Sequence, residues 1–255
     1  MRTLLGPAGC PWDKEQSFES LRPFVIEEAF EVVDAIDSGD RDALREELGD
    51  LLYQIVFQAE IARSEGLFGM DEIIEAIKAK MIRRHPWVFG DEEIGSESAE
   101  ARWEAIKAKE KRESGTLGGV PVALPSLLRA MRVSEKAAAV GFDWADAEGA
   151  RAKIDEELRE VDEAAAAGDQ AALESELGDL LFAITSFSRH RGIDPEAALR
   201  GTINRFTARF TEMERAIIAE GRALKELDDA GLDEAWEAAK AKLRAEGRDG
   251  GLAQR

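Results

Sequence analysis

The chain has one cysteine, two histidines and no long apolar run, and each shortage removes a class of protein. Cys10, being alone, cannot form an intramolecular disulfide, which points to a reducing compartment. No stretch approaches the ~20 apolar residues of a membrane span. Met1-Arg2-Thr3-Leu4-Leu5 runs into Gly6-Pro7 before a signal-peptide core can form. A soluble, cytoplasmic protein with no membrane partner is expected. Basic residues are outnumbered. Thirty-four Lys and Arg against 53 Asp and Glu leave a net charge of −19, which repels nucleic-acid backbones. A small phosphorylated substrate remains compatible, provided bound cations reverse the sign locally. Alternating, strand-like stretches are few, and no glycine-rich P-loop is present.

What is abundant is helix. Leucine, alanine, glutamate, lysine and arginine dominate, and nearly every long segment has helical periodicity. The pattern predicts an all-α protein with helices over 17–38, 41–65, 70–84, 97–113, 124–139, 147–167, 170–191, 195–220 and 232–246. Asp40 and Asp169 are expected as N-caps. Gly39-Asp40 and Gly168-Asp169 read as turns.

The chain repeats itself. Glu27-Glu28-Ala29-Phe30-Glu31 answers Glu156-Glu157-Leu158-Arg159-Glu160, and Glu47-Leu48-Gly49-Asp50 answers Glu176-Leu177-Gly178-Asp179, both at an offset of 129 residues. Trp103-Glu104-Ala105 answers Trp236-Glu237-Ala238 at an offset of 133. Three separated matches in order indicate a duplicated helical unit. The expected organisation is an N-terminal unit over 1–113, a linker over 114–123, a C-terminal unit over 124–246 and a disordered tail over 247–255.

The carboxylates carry the chemistry. In the first motif helix, Val25, Ala29, Val32 and Ile36 mark the apolar face, with Glu28 on its flank and Glu31 beside it. In the partner helix, Leu44, Leu48, Leu51, Leu52 and Ile55 mark that face, and Glu47 and Asp50 flank it. Gly49, costly inside a helix, permits close approach of another helix or a ligand, and recurs as Gly178. Antiparallel pairing would gather Glu28, Glu31, Glu47 and Asp50, and their counterparts Glu157, Glu160, Glu176 and Asp179. Unpaired carboxylates so close repel, and a hard dication removes the conflict: Mg²⁺, or Mn²⁺ in its place. A lone Glu-x-x-Glu is usually a solvated face; recurrence of both pairs around the same glycine favours a site. A di-iron carboxylate bundle would want Glu-x-x-His pairs, and neither His85 nor His190 follows a glutamate by three. For phosphate, Lys80, Arg83 and Arg84 cluster in the first unit, and Lys153, Arg205 and Arg209 stand in the second. Helix-terminal charge pairing explains such cations equally well. Trp103 and Trp236 suit either a nucleobase or core packing.

With these residues laid out, the chain closely resembles the two-copy form of the MazG family of nucleoside triphosphate pyrophosphohydrolases, over essentially its whole length. The resemblance includes Gly9-Cys10-Pro11-Trp12-Asp13-Lys14, Arg83-Arg84-His85-Pro86-Trp87 and Val140-Gly141-Phe142-Asp143-Trp144. It implies tandem helical-bundle units, a homodimer with sites near subunit contacts, and Mg²⁺-dependent cleavage between the α and β phosphates to nucleoside monophosphate and pyrophosphate. It further implies that the four carboxylates of each copy hold the metal. Lys153, Arg205, Arg209 and Trp236 fall where the family contacts nucleotide, with Arg205 in place of the usual lysine. Glu156 or Glu176 is the expected general base. The second copy is expected to be active, with activity in the first left open.

Overall fold

A computed structural model describes residues 1–91, 99, 102, 103, 106 and 115–249. Among them there are helices and turns and no strand. The chain divides into two compact units, Met1–Lys107 and Ala108–Gly251. The expected helix over 97–113 lies largely outside the described residues, although Ala99, Arg102, Trp103 and Ile106 are helical.

The first unit contains α1 (Arg2–Leu5), α2 (Pro11–Lys14), α3 (Phe18–Ser38), α4 (Arg41–Ser64), α5 (Met70–Arg84) and α6 (Pro86–Phe89). The second contains α7 (Ser126–Ala138), α8 (Ala147–Ala167), α9 (Gln170–His190), α10 (Pro195–Ala219), a 3-10 turn (Leu224–Glu226) and α11 (Asp229–Ala245). The long helices match their sequence patterns closely. The four-residue helices α1, α2 and α6 were invisible to periodicity because one turn cannot display a period.

Each unit is organised by a helical hairpin closed over two residues. Gly39 takes φ 74° and ends α3; Asp40 then accepts from the backbone N–H groups of Asp42 and Ala43 to start α4. Gly168, at φ 69°, and Asp169 repeat this between α8 and α9. A left-handed residue followed at once by an N-cap leaves no slack, so the helices fold back antiparallel. The seam of the first hairpin is built on Leu21, Phe57 and Ile61, with Phe18 and Phe24 against them. A separate core in the second unit joins Met213 and Ile217 of α10 to Ala239 of α11. Buried Glu212 adds ion pairs to Lys242 and Arg215 there.

The apolar faces require a correction. Ala29, Ile36, Leu48, Leu52 and Ile55, expected to pack, are exposed, and Val25, Val32, Leu44 and Leu51 are half-buried. Residues facing the seam instead are Leu21, Phe24, Glu28 and Ala35 of α3. Their counterparts on α8 include buried Ala150, Glu157 and Ala164. The richest apolar stripe is therefore not the one used inside the chain. A Cβ at Gly49 or Gly178 would meet no atom within 4 Å, so no described element of their own unit approaches there, and both positions stay open.

Candidate metal and nucleotide site

The hairpin geometry decides which carboxylates meet. Positions 21, 28 and 35 on α3 lie seven residues apart, so Glu28 shares a face with the packing residues and enters the seam. Glu47 and Asp50 approach it from α4. One oxygen from each of Glu28, Glu47 and Asp50 lies within 4.8 Å of the others. In the second unit the same holds for Glu157, Glu160 and Glu176, with Glu157 buried and the other two half-buried. Both groups contain three of the four expected ligands. Glu31 and Asp179 are exposed and fall outside them, but each is near enough to act electrostatically, Glu31 on Glu28 and Glu47, and Asp179 on Glu176.

Crowding shows in the proton affinities. Burial first, then Asp50 and Glu31, push the Glu28 carboxyl above its usual range, against a hydrogen bond from Gln54. Glu47 is raised by burial, Glu31 and Asp50. Glu176 is raised by burial, Glu160, Asp179 and Glu157, with Lys153 opposing. Three carboxylates sharing an oxygen-only site with no histidine or cysteine suit a hard cation. Oxygens within 4.8 Å of one another are close enough to share one such ion. His85 sits on the Met81 carbonyl and His190 on Asp143, away from both groups, which disfavours the di-iron alternative.

The two units differ beside the carboxylates. Lys153 Nζ lies 2.6 Å from Glu157 and 2.9 Å from Glu156, and these hydrogen bonds hold the ammonium above the ordinary lysine range. At the 129-residue offset the first unit has Phe24 at this position. α5 and α10 begin at 70 and 195, an offset of 125, which sets Lys80 against Arg205 and Arg84 against Arg209. Lys80 is exposed. Arg84 stacks over Trp103, 5.3 Å from the ring centroid.

In the second unit Arg205 donates to Thr202. Arg209 is held bidentately by Asp249, at 2.7 and 2.8 Å. That contact brings part of the segment expected to be a disordered tail, 247–249, into a defined position; residues 250–255 lie outside the described set. Trp236 meets Phe206 at 5.2 Å and lines a largely apolar cavity of about 450 Å³ with Phe210, Met213 and Leu232. Sequence reasoning missed Gln54 and Asp249. The signal for Gln54 was a polar residue one turn after Asp50 on the carboxylate face.

A model of the MazG nucleotide pyrophosphohydrolase domain matches the chain twice, over residues 16–89 and 146–213. The chain belongs to the MazG family. Both matched stretches contain one hairpin and its carboxylates. The chain is 47% identical over 242 residues to the nucleoside triphosphate pyrophosphohydrolase/pyrophosphatase MazG of Thermotoga maritima, covering 94% of this chain and 92% of that one. It is 44% identical to the nucleoside triphosphate pyrophosphohydrolase of Escherichia coli K12, covering 94% of each. It is 42% identical to an uncharacterized Bacillus subtilis protein, YabN, of which it spans 50%. Among the described residues no helix of this MazG chain is long and apolar enough to cross a membrane.

Proposed function

We propose that this MazG chain hydrolyses nucleoside triphosphates to nucleoside monophosphate and pyrophosphate, with the chemistry in the second unit. The observation that carries the choice of unit is Lys153, a lysine at the carboxylate cluster for which the first unit has Phe24. Both hairpins can gather acidic groups, but a triphosphate also needs cations around the metal.

Glu157, Glu160 and Glu176 would hold Mg²⁺, with Asp179 one turn from Glu176, and Mn²⁺ is a chemically suitable substitute. Bound there, the ion would neutralise triphosphate charge and lower the pKa of an attached water. Glu176 is the better proton acceptor of the two candidates. Glu156 is held in an ion pair by Lys153, whereas Glu176 can offer the carboxylate oxygen it does not give to the ion. Water is consumed, the α–β phosphoanhydride bond breaks, and the released proton passes to Glu176. Lys153 borders the cluster and meets phosphate oxygens there. Arg205 and Arg209 steady the phosphate chain, and Arg209 exchanges the Asp249 carboxylate for phosphate. Trp236, over an apolar cavity, accepts the base by stacking.

The chain works as a homodimer in this reading. Leu48, Leu52 and Ile55 form an exposed stripe on α4, and Leu177, Leu181 and Ile184 repeat it residue for residue on α9. With Gly49 and Gly178 open beside them, these faces suit a second copy. Nucleic acid is disfavoured as a partner by the net charge of −19.

Pyrophosphate release from a panel of nucleoside triphosphates with Mg²⁺ tests the assignment. Glu176→Ala is expected to lose roughly 10²-fold or more in rate, and Glu47→Ala to retain activity. The opposite pattern would move the chemistry to the first unit.

A further inference from the structure

Among the described residues of the first unit, one buried side-chain polar atom has no hydrogen-bond partner, and it belongs to Gln54. Gln54 lies on α4, one turn beyond Asp50 and two beyond Glu47, and is only 6% exposed. Its amide hydrogen-bonds the Glu28 carboxylate across the seam. The nitrogen must be the donor, because an amide oxygen turned toward that carboxylate would be repelled. The oxygen, Oε1, is buried and has no hydrogen-bond partner in the protein. A buried acceptor left unpaired is unfavourable, so a polar group held there needs a reason.

The repeat supplies the contrast. At the equivalent position the second unit has Ala183, 3% exposed. The alanine unit has Lys153 against its carboxylates, and the glutamine unit has Phe24 in the lysine's place. The first cluster therefore has no lysine at this position to offset its charge, and it has an amide in the seam. A ligand for this place must satisfy three carboxylates and an orphan acceptor together. An anion or a further acceptor would be repelled by all four. A hydrated divalent cation fits, with its charge met by the carboxylates and a proton of its bound water met by Oε1.

We propose that Gln54 is a positioning residue of a divalent-cation site in the first unit. Its amide nitrogen sets the orientation of Glu28, and Oε1 accepts a hydrogen bond from a water bound to the ion. This rests on the reading of Glu28, Glu47 and Asp50 as cation ligands and adds a residue that the second unit lacks.

The test uses the full chain with Glu157→Gln and Glu176→Gln to silence the second cluster, and reads Mn²⁺ binding by the paramagnetic resonance of free ion. This background should bind Mn²⁺ in a manner abolished by Glu28→Gln. Adding Gln54→Met, which keeps the volume and removes the amide, should weaken binding roughly 10–100-fold, and Gln54→Ala should do the same. The melting temperature in chelator should change little for Gln54→Met, because the lost bond to Glu28 is offset by removal of the unpaired acceptor. Unchanged Mn²⁺ affinity in both variants would overturn the role of Gln54 while leaving the carboxylate site standing. Affinity lost together with metal-free stability would assign Gln54 to packing and overturn the proposal too. Absence of Mn²⁺ binding in the background itself would overturn the cluster as a cation site.

Discussion

At the scale of residues, the second unit is held by ion pairs that substrate must rearrange in the proposed mechanism. Asp249 is the clearest case. The hydrogen bond from Arg209, reinforced by Arg244, draws its carboxyl down to about 2, so the contact persists across any working pH. In the proposed mechanism a phosphate oxygen competes with this carboxylate for the guanidinium. Asp249→Asn removes the competing charge, and steady-state kinetics should show KM for nucleoside triphosphate falling several-fold with kcat little changed. An unchanged KM would separate Arg209 from substrate. Lys153 is subtler, because its partner Glu157 is also a proposed metal ligand. The same ammonium offsets the cluster's charge and, in the proposed mechanism, meets phosphate.

At the scale of elements, short polar clamps fix helices that propensity alone would leave loose. Arg189 of α9 donates to Ser134 of α7 at 2.9 Å and to Asp143 in the preceding loop, and His190 joins Asp143 at 3.1 Å. Burial raises the Asp143 carboxyl, but the bonds and charges of Arg189 and His190 outweigh it and hold the group below its ordinary 3.8. A carboxyl depressed in the fold stabilises above its unfolded pKa and loses that contribution as pH falls through the folded value. Asp143→Asn should therefore cost roughly 1–3 kcal/mol at neutral pH in urea denaturation. The gap to the parent chain should narrow as pH drops below 3.8. A constant gap would mean the loop is held by packing instead. The hairpins were legible beforehand because Gly39-Asp40 and Gly168-Asp169 spell a left-handed stop and an N-cap in adjacent residues. The buried faces were not legible. Periodicity finds the most apolar stripe, whereas the intrachain seam uses Leu21, Glu28 and Ala35, a face interrupted by a carboxylate.

At the scale of the molecule, apolar stripes remain on the outside of both hairpins. Leu177, Leu181 and Ile184 recur at one and two turns, as do Leu48, Leu52 and Ile55, and such rows are expensive to leave in water. Leu52→Asp with Leu181→Asp should weaken self-association at least ~10-fold by analytical ultracentrifugation, because a buried carboxylate would face its own copy. Unaltered mass would place the dimer contact elsewhere. The sequence by itself determined the all-α class, the duplication, the capped turns and the acidic residue types from which a cation site can be built, since local spacing and chemistry specify all of these. Only the tertiary structure decided which three carboxylates of each four come together, that Gln54 joins the first group and Lys153 the second, and that Asp249 holds Arg209. Those are relations between helices or between a helix and a distant segment. They depend on the rotation of one helix about its axis against another, which spacing along a single chain does not encode.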